Sequence, residues 1–365
     1  MNILILSTHL NTGGITSYIV SLAKGLVQNG HRVDVATSGG DQEAALKEAG
    51  AGHIRLDIRT KSELSLKIYR ALPLVTKIVR QRKIDVIHAQ TRVTQVLAAL
   101  VCAWTGVPYV TTCHGFFRPK LARRIFPCWG KAVIAISGQV QAHLGDDLGC
   151  AKKRIVVVPH GLEARREIWS EERKLAQRKA LGLRPGPVIG MVARLSPVKG
   201  QDIMIRAMAD IVRRFPEANL VLVGDGKEKN ALLSLVRDLS LGSHVFFLPV
   251  VSRQENIIPF FDVFVMPSRQ EGLGLSVMEA QAQGLAVVAS DVGGLPTLIS
   301  HGQTGILVPK EDAGQLARAI IDLLEHPQKR SELGEAAHRF IVQHFPFENM
   351  VHQTLDVYRN AIGHE

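Results

Sequence analysis

Short apolar runs alternate with stretches of helical periodicity along nearly the whole chain. Residues 3–6 form a continuous apolar run, as a strand buried on both faces requires. Ile15, Ile19, Leu22 and Leu26 then recur at helical spacing, and the pattern stops at Asn29-Gly30. Residues 33–36 begin the next strand, and the same alternation returns at 86–87, 109–110, 133–136 and 155–158. Strands that alternate with helices predict a parallel sheet covered by helices on both faces.

A charged stretch follows and ends in Gly182-Leu-Arg-Pro-Gly-Pro187, after which the alternation restarts. Apolar runs fall at 188–192, 220–223, 245–248, 263–266, 286–289 and 306–308, with a helix beginning after Asp202. A restart beyond a polar, Pro/Gly-rich junction marks a domain boundary. The expected organisation is α/β: a first doubly wound domain over 1–163, a linker over 164–186 and a second such domain over 187–346. A final helix over 347–365 is taken to cross back to the first domain. The chain's 365 residues and 46% hydrophobic content suffice for two cores. Cys102, Cys113, Cys128 and Cys150 form no C-x-x-C pair and read as free thiols of a reducing compartment. The opening MNILILSTHL turns polar too soon for a signal peptide. Residues 96–110, the most apolar stretch, are broken by Thr105, Gly106 and Pro108, so they read as helix, turn and strand and not as a membrane span.

Ligands of parallel α/β sheets sit beyond the carboxyl ends of the strands. The residues there are Gly13-Gly14, His114-Gly115, Ser137-Gly138, His160-Gly161, 194–200, Gly224-Asp225-Gly226, 268–274 and Gly293-Gly294. Any single glycine is explained by its turn; the series points to backbone approached closely by a ligand. The sharpest signal is EGLGLSVMEAQAQG, residues 271–284. A strand end, a glycine-bearing loop (Gly272, Gly274) and a short helix up to Gly284 present unpaired amides and a positive dipole end, which suits a diphosphate. Glu271 in the loop would face what the diphosphate carries, and Glu279 in the helix could reach ribose hydroxyls. Alternatively, Ser276-x-x-Glu279 is a capping box. Arg194 and Lys199 flank one loop in ARLSPVKGQD and could hold two phosphates, stabilising a departing nucleoside diphosphate, or they are solvated surface cations.

Arg194-Leu-Ser-Pro-Val-Lys199-Gly200, with Glu271-x7-Glu279 and Gly293-Gly294-Leu-Pro downstream, resembles family 4 of the retaining glycosyltransferases. The likeness extends to Gly13-Gly14, His114-Gly115, Ser137 and Phe347-Glu348, and so covers nearly the whole chain. It implies the GT-B architecture, two Rossmann-like domains facing a central cleft. It also implies roles: Arg194 and Lys199 hold the diphosphate, and Glu271 binds donor-sugar hydroxyls, with amides around Gly274 and Leu275 close by. Glu279 would bind the ribose, Gly14 would bring amides to phosphate and acceptor, and His114 would reach the donor sugar. No metal or other cofactor is implied, in keeping with the lack of an Asp-x-Asp motif. Ala193, His160, Pro249 and Thr297 depart from the family's usual glycine, asparagine, glycine and glutamate. They touch the base preference and the acceptor side and leave the diphosphate's charged ligands in place.

The net charge is +11. Lys61, Lys67, Arg70, Lys77, Arg80, Arg82 and Lys83 fall on one helical region. Arg118, Lys120, Arg123, Arg124 and Lys131 cluster with Phe116, Phe117, Phe126 and Trp129. Basic residues interleaved with aromatics suit an anionic membrane surface, or a solvated helix face beside core aromatics. The expected function is hexose transfer from a UDP- or GDP-linked donor to a saccharide or lipid-linked acceptor. The setting would be the cytoplasm or the cytoplasmic face of the inner membrane, in bacterial surface polysaccharide or lipopolysaccharide synthesis. A GT-B nucleotide-sugar epimerase and a non-catalytic two-domain sugar-binding protein are the rivals. Nucleic-acid binding has no motif to support it.

Overall fold

The structure, a computed structural model, describes residues 1–119, 123, 125–163, 166–249 and 257–363. Lys120 and Arg124 of the basic cluster and positions 164 and 165 of the expected linker lie outside them. The chain forms two compact units, Met1–Gly161 with Phe347–Glu365, and Leu162–Pro346.

The first unit holds seven strands: β1 (Asn2–Leu6), β2 (Arg32–Thr37), β3 (Gly52–Arg55), β4 (Val86–Ala89), β5 (Tyr109–Cys113), β6 (Ala132–Ala135) and β7 (Ile155–Val157). They pair in the order β3-β2-β1-β4-β5-β6-β7, all parallel. In β1, Ile3 pairs with Val33 on one side and Val86 on the other. Successive side chains of a strand point to opposite faces. Accordingly Ile3 and Ile5 enter the cluster built with Tyr18, Leu22 and the last helix, Phe347–Ile362. Leu4 and Leu6 enter the opposite one, with Ile68, Val75 and Leu97. Both faces are covered, which is why the run 3–6 has no polar interruption. β3 was not expected. It is a sheet edge, pairs only with β2 and is largely open to solvent, so its GHIR sequence carries no apolar run.

The second unit holds β8 (Val188–Val192), β9 (Asn219–Val223), β10 (Val245–Leu248), β11 (Val263–Met266), β12 (Val287–Ser290) and β13 (Ile306–Val308). Their parallel order is β10-β9-β8-β11-β12-β13. The segment expected as a linker carries the helix Glu171–Ala180, N-capped by Ser170. Its Arg178 binds the Phe260 carbonyl and Asp262 within this unit.

Candidate active site

In both sheets the first strand lies between the second and the fourth of its unit, and the order reverses there. Ligands of such sheets bind at this switch point, outside the carboxyl ends of the two strands that diverge. In the second unit these are β8 and β11. The loop after β8 carries Arg194 and Lys199; the loop after β11 carries Glu271, Gly272 and Gly274.

The two loops are fastened together. The amides of Arg269 and Gln270 donate to the Val198 carbonyl at 2.8 and 3.3 Å. Arg269 also donates to the Pro197 carbonyl at 2.7 Å and forms a bidentate pair with Asp202 at 2.8 and 2.9 Å. That pairing holds the Asp202 carboxyl below its ordinary range. Lys199 Nζ lies 2.5 Å from Glu271 Oε2, which also accepts from Ser268 Oγ at 3.3 Å. Both members are shielded, with 22% of the Lys199 and 10% of the Glu271 side chain exposed. Arg194 is exposed, while its carbonyl accepts from Gln201 Nε2 at 3.0 Å.

Two glycines permit this packing. Gly200 has φ 73°, and a Cβ there would stand 1.9 Å from the Pro267 carbonyl oxygen. A Cβ at Gly293 would stand 1.9 Å from the Glu271 carbonyl oxygen, and the amide of Gly294 donates to that same oxygen at 3.0 Å. The loop bearing Glu271 is thus clamped on one side by the loop of Lys199 and on the other by Gly293-Gly294.

The helix after this loop is Leu275–Ala282, and its N-cap is Gly274, with no side-chain cap. Ser276 is already inside the helix, so the capping box is not formed. Glu279 is a half-buried helix residue one turn beyond the first amides. Those of Leu275 and Ser276 occupy positions that have no intrahelical partner. Two cations, a carboxylate and a helix amino terminus therefore sit on the loops beyond one switch point, an arrangement suited to a diphosphate carrying a polyhydroxyl group.

In the first unit Gly13 and Gly14 are exposed where the loop after β1 enters the helix Gly14–Gln28. His114 follows β5 and is half-buried. Its Nε2 lies 2.8 Å from Oε1 of Gln90, and its ring meets Tyr18 edge-on at 5.0 Å. An amide oxygen only accepts, so Nε2 carries the proton and Nδ1 is left as the acceptor. Burial, reinforced by His160, pushes the His114 imidazole down to about 3. It is neutral at physiological pH. Gln90 was not foreseen. It follows β4 at the first sheet's switch point and is buried, its Nε2 without a hydrogen-bond partner among the described residues. Nothing in its local sequence marks it; only the strand order does. The His160 ring lies 5.6 Å from that of Tyr18; it is buried, neither ring nitrogen has a hydrogen-bond partner among the described residues, and burial pushes it down to about 4.

The aromatics of the basic segment divide. Trp129 is a core residue, in line with the core-aromatic alternative, and its carbonyl accepts from Thr111. Phe116 packs on His143 and Phe117 under Arg123. Phe126 is exposed. No helix among the described residues is long and apolar enough to cross a membrane.

Comparison with known proteins follows the two units. Residues 12–166 match the family described as Glycosyltransferase Family 4, and residues 174–340 match Glycosyl transferases group 1. The D-inositol 3-phosphate glycosyltransferase of Acidothermus cellulolyticus is 31% identical, over 97% of this chain and 87% of that protein. The chain belongs to the family 4 glycosyltransferases. It is thus an enzyme that uses a nucleotide sugar, in a retaining family. The GDP-mannose-dependent monoacylated alpha-(1-6)-phosphatidylinositol monomannoside mannosyltransferase of Corynebacterium glutamicum is 35% identical over 53% of each chain. Among solved structures, Anabaena Alr3699/HepE in complex with UDP and glucose superposes with a TM-score of 0.86 at 25% identity, covering 97% of this chain and 98% of that one. This glycosyltransferase therefore has the GT-B fold, with parallel sheets of seven and six strands.

Proposed function

We propose that this family 4 glycosyltransferase moves a hexose from a UDP- or GDP-linked donor, with retention, to a hydroxyl of a saccharide or lipid-linked acceptor in bacterial surface-glycan synthesis. The observation that carries the donor side is the Lys199–Glu271 pair on two loops fastened at the second sheet's switch point. A donor entering there meets Lys199 and Arg194 with its diphosphate, the amides near Gly272, Gly274 and Leu275 with its phosphate oxygens, Glu271 with its sugar hydroxyls and Glu279 with its ribose. As the glycosidic bond breaks, charge gathers on the leaving diphosphate, and fixed cations stabilise that charge without reorganising. Gly13, Gly14 and His114 serve the sugar and the acceptor. A neutral His114 with a free Nδ1 accepts a hydrogen bond from a hydroxyl, which an imidazolium could not do. The relatives' printed names, with UDP and glucose in one and GDP-mannose in another, support a hexose donor of either base.

The acceptor reading draws on the first unit's surface. Arg92 binds Glu63 at 2.5 Å and the carbonyls of Phe126 and Pro127 at 2.6 and 2.5 Å, which ties the start of the helix Leu66–Gln81 to the aromatic segment. Around that tie Leu64, Leu66, Tyr69, Ile125 and Phe126 are exposed, with Arg70 and Arg118 on the same surface elements. Exposed apolar side chains among cations fit the interface of an anionic membrane, where a lipid-linked acceptor resides. The test is a thermal-shift screen of UDP- and GDP-hexoses, followed by transfer to lipid-linked saccharides. A donor at ~100 times its Kd adds about 2.7 kcal/mol of stability. Stabilisation by no nucleotide sugar would overturn the donor assignment.

A further inference from the structure

The second unit has a cavity of about 790 Å³ far from the loops just described. It opens where Pro185-Gly186-Pro187 leads into β8, at the amino end of the strand whose carboxyl end carries Arg194. The five residues of β8 span roughly 16 Å at 3.3 Å each. A ligand here therefore cannot be the diphosphate at the switch point. The volume lies within the usual range for small-molecule sites, roughly 300–1,000 Å³.

The lining combines an apolar floor with a cationic rim. Leu183, Phe215 and Leu324 give the floor, with the exposed Leu175 at its edge; Arg178, Lys179, Arg184 and Arg330 give the rim, and Asp262 is its one carboxylate. Two of the cations are already committed. Arg178 pairs with Asp262 at 2.9 Å, and that carboxylate also accepts from the amide of Val188 at 2.7 Å. Arg184 forms a bidentate pair with Glu217 at 2.8 and 3.2 Å. Lys179 and Arg330 have no carboxylate within ion-pair distance among the described residues. Arg330 makes only a 3.5 Å contact to the Leu323 carbonyl. Two uncommitted cations above an apolar floor match a dianion joined to an apolar group.

We propose that this cavity is a second ligand site, taking an organic phosphate monoester with an apolar chain or ring. The phosphate is held between Lys179 and Arg330, and the apolar part lies on Leu324 and Phe215. The same chemistry occurs in a soluble phosphate ester and in the headgroup region of a phosphatidic-acid membrane. Titration calorimetry with hexyl phosphate tests the site, with inorganic phosphate and hexanol as controls. Hexyl phosphate binds at least tenfold more tightly than either control, UDP and GDP do not displace it, and Lys179→Gln/Arg330→Gln weakens it at least tenfold while leaving nucleotide-sugar binding unchanged. Flotation with phosphatidic-acid vesicles assigns the source: loss of vesicle binding in the double variant selects the membrane, and unchanged vesicle binding with lost hexyl phosphate binding selects a soluble ester. No binding of hexyl phosphate at millimolar concentration, displacement by nucleotide, or equal binding by the double variant overturns the site.

Discussion

Lys199 and Glu271 face each other at 2.5 Å, so towards a donor the two side chains would compete as well as cooperate. At that separation the Coulomb attraction is about 7 kcal/mol for an effective dielectric of 20, most of it offset by desolvation of two shielded groups. An incoming diphosphate must share the ammonium with the carboxylate. Removing the carboxylate's charge in Glu271→Gln therefore frees Lys199 for phosphate while depriving the sugar of its acceptor. The affinity for the bare nucleoside diphosphate should stay the same or rise by up to ~tenfold, about 1.4 kcal/mol. Turnover should nonetheless fall, with a transition-state loss of about 2–4 kcal/mol in kcat/KM, or roughly 30- to 900-fold. Lys199→Ala should do something different. It loses a charged hydrogen bond to the diphosphate, about 1.5–3 kcal/mol, and leaves Glu271 as an unpaired shielded anion that repels phosphate.

Calorimetry with UDP and GDP, together with steady-state kinetics on the two single variants and the double, separates these effects. Nucleoside diphosphate binding should be weakened ~10-fold or more by Lys199→Ala, and largely restored when Glu271→Gln is added, because the repelling charge goes with it. If Glu271→Gln weakens the nucleoside diphosphate as much as Lys199→Ala does, Glu271 acts only by holding Lys199 in place, and its contact with the donor sugar is refuted.

Three further outcomes follow from the first unit. In Gln90→Glu a carboxylate replaces the amide oxygen facing His114 Nε2, so the imidazole rises from its present value of about 3 and an ionisation absent from the wild-type pH profile enters the kcat/KM profile on the acid side; histidine NMR titration checks it, and an unchanged titration refutes the contact. Buried His160 is neutral in the fold at pH values where an unfolded histidine is charged, so it costs stability as pH falls from about 6.5 towards about 4, with a slope of up to ~1.4 kcal/mol per pH unit. His160→Asn removes that term, and the drop in Tm between pH 7 and pH 5 should shrink; an identical drop counts against a neutral His160. The third concerns the surface: the enzyme should sediment with anionic and not with neutral liposomes, more weakly at high salt, and Arg70→Glu/Arg118→Glu should reduce binding without altering donor affinity. Equal partition to both vesicle types would exclude the electrostatic reading.

The strands with buried faces were legible because burial on both sides leaves no polar residue in the run: β8 and β11 are apolar throughout, and β1 is apolar from Ile3 on. β3 was not, since one side of it has no partner strand and its side chains are partly solvated. The donor-side candidates were legible because glycines and charges cluster on loops close in sequence to the strand ends that carry them. What could not be read was how those loops are fixed. Arg269 holds the Lys199 loop through Pro197 and Asp202, 72 and 67 residues away. Its role depends on β8 and β11 being neighbours, which periodicity does not reveal. Gln90 was hidden for the same reason, and the sequence left Trp129 open between surface and core because an aromatic among cations looks alike whether its ring faces lipid or core.

Both units repeat one strand order, yet their switch points differ in chemistry. In the second, the strand ends offer Arg194, Lys199 and a helix amino terminus, which favour an anion. In the first, the groups around Tyr18 are His114, Gln90 and His160, all uncharged at neutral pH, with the two imidazoles held down chiefly by burial. A neutral hydrogen-bonding set binds hydroxyls without attracting free phosphate. Cations in these places would instead attract phosphate. On the proposed reading of His114, the burial that neutralises it would keep a hydrogen-bond acceptor where a charged imidazole would attract anions. His114→Lys, which restores a cation at that position, should tighten inhibition by the nucleoside diphosphate while lowering kcat. Product-inhibition kinetics decide the matter, and a variant with lower kcat but unchanged inhibition would show that charge at this position is irrelevant to how the product leaves.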